Sequence, residues 1–442
     1  MRTRKVLFLG ISLWCSVTTS SAMVEKESLP PPTATTQSAV PKEKANTPKS
    51  GYFKLPGMQL EARAWASIRM QIIHDLINGV ENGAGYDCMH ITSIPLKKND
   101  KNVTRAHRRE TRFGIEVLAP AQWGGGAAPA RLFLESDLFG AQDMVGGENT
   151  TNQALLRIRH AYVEWGPLII GQYWGVFCDH CAFVDVVDFS PPVGGVSLRS
   201  PQIRYTCHVK EDIDLVATIE NPEGEYLDQN GKANFTKAQG RYRFNPTDND
   251  NCAVDKFPDI GFCATLNQRD GGHMAFRSAV RYLHTKKAEK KSFVIGAVVG
   301  VGGLFKVFGR DEINVQVNGG RGAGRYLYEL SGTAAYLDKD NVLHVQPSVG
   351  GFLSYKHFWN SSIWSVLAGG YAFVKNHEDL RNTKTSTAVN KDVISVNANT
   401  HWRPEGFKNA KFGIEYLWGM RRTEKGGTGN LNRVMIGAKI DF

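Results

Sequence analysis

Residues 431–442, LNRVMIGAKIDF, alternate residue by residue between two kinds of surface. Val434, Ile436, Ala438, Ile440 and Phe442 fall on one parity. Arg433, Gly437, Lys439 and Asp441 fall on the other, with Met435 the single apolar intruder. Side chains point to opposite faces along a strand, so this is a strand with one apolar and one polar face. A membrane barrel turns the apolar face to lipid and the polar face to a wet lumen, whereas a soluble β-protein turns the apolar face inward. Parity alone does not choose between them. Strand number and connections do.

The same alternation begins at Gln59, with Leu60, Ala62, Ala64, Ala66, Ile68, Met70 and Ile72 opposing Glu61, Arg63, Ser67, Arg69 and Gln71. It recurs around Phe113, Leu132, Ile203, Ile213, Phe276, Val396 and Ile414, each time against charged or polar partners. About sixteen strands follow, at 59–74, 109–119, 130–140, 154–166, 167–176, 200–210, 212–221, 258–267, 273–285, 291–305, 312–330, 341–356, 362–375, 392–403, 409–421 and 431–442. Long gaps follow odd-numbered strands (75–108, 177–199, 222–257, 376–391). Short ones follow even-numbered strands (Gly166-Pro167, Glu211, 268–272, 360–361). This is the pattern of an all-β, transmembrane, antiparallel up-and-down barrel with both termini on the periplasmic side. Trp123, Trp165, Trp174, Trp359, Trp364, Tyr416 and Trp418 stand near strand ends, as interfacial girdles require. The last strand is expected to close the ring against the first near Leu60.

The amino terminus supports export. Arg2, Arg4 and Lys5 precede an apolar run from Val6 to about Val17 and then Ser20-Ser21-Ala22, the three regions of a secretory signal peptide over 1–22. The run is too short to span a bilayer as a helix. Residues 23–50 are rich in Pro, Thr and Ser and read as a periplasmic spacer, which leaves 51–442 for the barrel and the bacterial outer membrane as its location. The chain carries a net charge of +10, and the three charges of the leader leave +7 for the rest. The basic residues are spread along alternating strands rather than gathered in a patch, which argues against nucleic acid as a partner.

From Ile158 the chain reads IRHAYVEWGPLIIGQYWGVF, followed by SPQIRYT (200–206), ATIENPEG (217–224), GRYLYEL (324–330) and FLSYKHFWN (352–360). This run resembles the DcaP-like family of outer-membrane porins, over roughly residues 52–442. The resemblance implies a sixteen-stranded barrel, a homotrimer, and passive uptake of small anionic solutes such as dicarboxylates. Members of that family carry a helical, coiled-coil-like amino-terminal extension, whereas residues 23–50 are too Pro-rich for heptads.

A porin needs a constriction, and the third long loop (177–199) is the segment to fold inward. It offers Asp179, Asp185 and Asp188, then Pro191-Pro192 and Gly194-Gly195 for the bend, then Arg199. Arg157 and Arg159 from strand 4 and Arg204 from strand 6 form the facing wall. Arg63, Arg69, Arg112, Arg131, Arg277 and Arg281 share the lumen parity and extend a basic path. Opposed acid and base rows create a transverse field, and forked guanidinium donors match carboxylates. Each arginine taken singly has the alternative of pairing with Glu116, Glu135, Asp137 or Glu220.

Six cysteines lie beyond the leader, at 88, 178, 181, 207, 252 and 263. Cys178 and Cys181 have half the spacing of a zinc site without a second pair, so no metal or other cofactor is expected. Loop disulfides, Cys178–Cys181 or Cys252–Cys263, suit an oxidising compartment. No G-x-S-x-G or comparable nucleophile motif is present, so the chain does not read as an enzyme. The alternative to an open pore is a plugged, adhesive or structural barrel acting through its long loops. Expected partners are outer-membrane lipid and lipopolysaccharide, small anions, a second and third copy, and the barrel insertion machinery, which would read the terminal aromatic Phe442.

Overall fold

The computed structural model describes residues 51–77, 91–96, 102–140, 154–235, 253–288, 292–382 and 389–442. The expected signal peptide (1–22) and spacer (23–50) lie outside them. Sixteen antiparallel strands form one closed ring. The first strand, β1, is Glu61–Ile77. The second, β2, runs in two segments, Val103–His107 and Arg112–Ala119. Then come β3 Ala130–Asp137, β4 Arg157–Trp165, β5 Leu168–Trp174 and β6 Arg199–Lys210. The far side of the ring is β7 Ile213–Glu220, β8 Asp259–Asn267, β9 His273–His284 and β10 Phe293–Val307. It returns through β11 Asp311–Arg321, β12 Pro347–Phe358, β13 Ile363–Val374, β14 Asn390–Trp402, β15 Ala410–Thr423 and β16 Thr428–Asp441. No helix among the described residues is long and apolar enough to cross a membrane.

Closure runs from Ser67↔Asp441 to Ile77↔Asn432, and Ala66 and Phe442 exchange both backbone hydrogen bonds (2.9 and 3.2 Å). The seam therefore sits about two turns of the pleat further along β1 than the expected contact near Leu60. Met70, Ile72 and Ile436 face outward and are exposed, while Arg69, Gln71 and Arg433 face in. Every charged parity read from the sequence has this sense.

Four expectations change. The eleventh strand ends at Arg321, not 330. Gly322 and Gly324 take positive φ (79° and 40°), the chain leaves the wall, and Gly324–Tyr326 and Tyr328–Leu330 form two buried 3-10 turns. The twelfth strand begins at Pro347, where the missing N–H costs no ladder bond. Its expected first residues, Leu343–Val345, instead join Ala335–Leu337, Glu225–Leu227 and Ala233–Phe235 in a separate four-stranded sheet. Trp174 and Trp364 are not girdle residues: both are buried inside the ring. Finally, Cys178 and Cys181 are not joined, because Cys178 is buried with its thiol donating to Val196 O (3.3 Å) while Cys181 is exposed. Cys263 is also free, and Cys252 lies outside the described residues.

The interior is not uniformly wet. Ile73 of β1, Val374 of β13, Val393 of β14, Leu417 of β15 and Leu431 and Met435 of β16 all point inward and are almost fully buried. They share one apolar cluster with Ile91 and Ile94 of the first long loop (L1, 78–102) and with Leu327 and Leu330 of the sixth (L6, 322–346). Residues 91–96 of L1 and the inward turns of L6 thus lie inside the barrel at one end and bury their apolar residues there. This is where Met435, the intruder in the final strand, finds its partners.

Candidate pore constriction

The third long loop (L3, 175–198) leaves β5 and crosses the lumen. Its root is held by Val176 N–H donating to Glu220 (2.6 Å) and by Gln316 donating to Phe177 O (2.8 Å). Asp179 pairs there with His273 (2.9 Å) and Arg277 (2.7 Å). Burial works against ionising the Asp179 carboxyl, but His273 and Arg277 outweigh it and hold its pKa below the usual range.

The tip reaches the opposite wall. Asp185 accepts from Lys411 (2.6 Å) and from the Trp364 indole (2.9 Å), with Lys356 at 3.6 Å. Burial again opposes the charge, and Lys411, His401 and Lys356 overcome it, so this carboxyl also titrates well below its ordinary value. Val187 N–H donates to Glu415 (2.6 Å), and the amides of Asn397 and Asn399 donate to the same carboxylate (2.9 Å each). Gly413 and Gly437 leave space for Val187, since a Cβ on either would stand 2.8–2.9 Å from its methyls. Gly194, at φ +81°, then lies against the backbone of Gly351 with no room for a side chain, and Val193 N–H donates to Ser395 (3.0 Å).

Between this loop and the wall of β1, β2, β4 and β14–β16 a cavity of about 290 Å³ remains. That is the scale of a small solute. Arg69, Arg112, Arg159, Arg199, Lys411 and Lys439 line it, against Glu110, Asp185 and Asp188. The break in β2 shapes one side: Thr111 exchanges hydrogen bonds with the Arg69 backbone (3.1 and 3.2 Å), and Glu110 pairs with the Arg69 guanidinium (3.3 Å). A β-bulge between β3 and β4 shapes another. There the register shifts at Glu135/Ser136, and Arg157 and Arg159 converge on Asp137 (2.6 and 2.9 Å). Arg159 also binds Glu135. Arg199 is held differently: its guanidinium lies 3.5 Å over the Trp174 ring and donates to His160 (3.2 Å). No carboxylate lies within ion-pair range of Arg112 or Arg199 among the described residues, and Arg112 Nε has no hydrogen-bond partner.

Of the residues singled out in the sequence, Arg159, Arg199, Asp185, Asp188, Arg69 and Arg112 meet at this cavity. The others do not line it. Arg157 stays on Asp137 and stacks on Phe139, Arg204 lies over Tyr173, and Asp179 is taken up by Arg277. Arg63 and Arg131 share Glu116. Arg281 is walled in completely, bound by Glu225 (2.8 Å), Asp259 (3.1 Å) and three backbone carbonyls, and it pins L6 to the wall. Lys411, Lys439, Glu110 and His401 were missed. Both lysines stood on the charged parity of their strands and were readable there.

Residues 57–442 match the family model described as DcaP outer membrane protein. The chain belongs to that family. As a DcaP-family protein it is a channel of the outer membrane. The crystal structure of the outer membrane channel DcaP of Acinetobacter baumannii superposes with a TM-score of 0.70 at 22% identity, covering 88% of this chain and 99% of that one. Two further barrels share the fold at 9% identity. OmpF of Salmonella typhi gives a TM-score of 0.52, covering 87% of this chain and 98% of that one. An anion-selective porin from Comamonas acidovorans gives 0.50, covering 87% and 100%. No protein with curated annotation matches the sequence.

Proposed function

We propose that this channel passes small hydrophilic anions, dicarboxylates among them, by passive diffusion past a constriction formed by L3 and the arginine-bearing wall. One observation carries the reading. Six cations face three acids around the cavity, and two of the cations, Arg112 and Arg199, have no carboxylate within ion-pair distance among the described residues. Uncompensated guanidiniums in a narrow, partly desolvated passage raise the local concentration of anions and offer a carboxylate two parallel donors. The functional unit is a homotrimer of such barrels, to be checked by crosslinking in native membranes.

The test is the reversal potential of the reconstituted channel in a salt gradient, with and without small diacids. Anion preference is expected, and the double variant Arg112→Ala/Arg199→Ala should reduce it and weaken block by a diacid. Cation preference in the unaltered channel would overturn the proposal. The burial of residues 91–96 and of L6 inside the ring favours one second reading, a plugged barrel, and absence of conductance steps from well-folded protein would select it.

A further inference from the structure

A second basic feature lies on the outer surface, at the loop end of β8–β10. Phe257 meets Tyr282 edge-on at 5.0 Å, and Tyr282 stacks on Phe293 at 5.1 Å. Tyr282 shares the parity of Phe276 and Val280, which face outward, and Phe257 and Phe293 are exposed by about half (58% and 46%). The three rings therefore form a ladder at the upper edge of the apolar surface, where amphipathic rings meet headgroups.

Immediately beyond them, the returning arm of the fourth loop pairs with the end of β9, through Ala253↔Thr285 and Val254 N–H to His284 O (2.9 Å). This brings Lys256 and Lys286 close enough to act on the same His284 imidazole. Lys287 follows, its backbone N–H donating to Thr285 Oγ1 (3.3 Å). Lys256 and Lys286 are exposed, and none of the three ammonium groups has a carboxylate at ion-pair distance among the described residues. Several other cations at this end of the barrel are paired, Arg105 with Asp75, Arg157 with Asp137 and Arg422 with Asp392, whereas these three lysines stand close together beside the aromatic rings. Three lysines directly above an outward aromatic ladder, without an ion pair among the described residues, complement one kind of neighbour, a lipid whose headgroup carries negative charge just above its acyl chains.

We propose that Lys256, Lys286 and Lys287, with Phe257, Tyr282 and Phe293 beneath them, form a binding site for the phosphorylated headgroup of outer-leaflet lipopolysaccharide. The lysines take the phosphates and the ladder takes the first acyl chain. The site lies on the outside of the barrel and does not depend on the selectivity of the pore.

Full-length channel in detergent is titrated with bisphosphorylated lipid A, with the same lipid stripped of phosphate, and with inorganic phosphate, and retained lipid is counted by native mass spectrometry. The triple variant Lys256→Ala/Lys286→Ala/Lys287→Ala should bind lipid A roughly tenfold more weakly or worse. Removing the phosphates should lower binding to the unaltered protein by the same factor and leave the variant unaffected. Heat-modifiable migration on a gel confirms that the variant is folded, and its conductance should match the unaltered channel. Equal affinity of variant and unaltered protein for lipid A would overturn the proposal, as would displacement of the lipid by inorganic phosphate at equal concentration.

Discussion

Replacing Glu415 by alanine should free the tip of L3 without unfolding the barrel. The Glu415 side chain is 1% exposed and accepts three well-made hydrogen bonds, from Val187 N–H and from the amides of Asn397 and Asn399. Alanine leaves those donors facing an empty space inside the wall. A buried donor without its acceptor costs about 1–3 kcal/mol, so even the low end gives about 3 kcal/mol against the docked loop. That is roughly a hundredfold change in the ratio of docked to undocked tip. Other anchors remain, among them Asp185 on Lys411 and Trp364, Val187 O on Gln71 and Val193 on Ser395, so the tip loosens at its centre while its flanks stay attached. The strand pairings β14–β15 and β15–β16 run through the backbone and are untouched. Single-channel recording should therefore show larger, noisier steps with reduced ion selectivity, and heat-modifiable migration should persist. Steps of unchanged size, noise and reversal potential would refute the view that this carboxylate holds the constriction in place.

Other substitutions separate pore from scaffold. Arg281→Ala leaves Asp259 with Arg325 as its ion partner (2.8 Å) and Glu225 with backbone donors in a closed interior, a loss of about 3 kcal/mol; the temperature of heat modification should fall while the reversal potential stays put. Trp174→Ala removes the ring beneath Arg199, which loses about 1 kcal/mol of orientation, so diacid block should weaken several-fold with conductance little changed. Glu329, in the inward turn of L6, gives a pH dependence. Burial first, and the Asp188 charge next, push its carboxyl up to about 8, against hydrogen bonds from the L1 backbone at Thr92 and Ile91. The docked loop thus holds its proton more tightly than an undocked one, so docking is strongest below the ordinary carboxyl value of 4.5 and weakens as pH rises through about 8. The protection of L1 and L6 amides, taken relative to the unstructured exchange rate at each pH, should fall between pH 5 and pH 8, and Glu329→Gln should flatten that profile.

The ring was legible because its rule is local. Period-two parity needs only neighbours in the chain, and Ile436 and Arg433 declare their faces unaided. The lumen was less legible because it is assembled from afar. Asp179 and Arg277, or Asp185 and Lys411, meet only when L3 crosses the barrel, and no spacing announces the pair. Arg281 had the parity of a pore residue and became a buried clamp, since parity distinguishes inside from outside but not open lumen from filled lumen. The filled part did leave a trace. Ile73, Leu417 and Met435 break the polar face, and each break marks where a loop docks. Strand 11 overran for a related reason: Tyr326, Leu327, Tyr328 and Leu330 look like more wall, but they belong to the filling.

Ile73 and Met435 face each other directly across the β1–β16 seam. They come from opposite ends of the sequence, and they are neighbours only once the first and last strands have joined. Ile91 and Ile94 pack chiefly on β14, β15 and the start of β16, beside Gly419 and Gly429, strands that are neighbours whether or not the ring is closed. Ile73 adds the last side of that apolar cluster only when β1 has paired with β16. The seam thus joins two halves of one buried surface, and separating it would expose Ile73 and Met435 together.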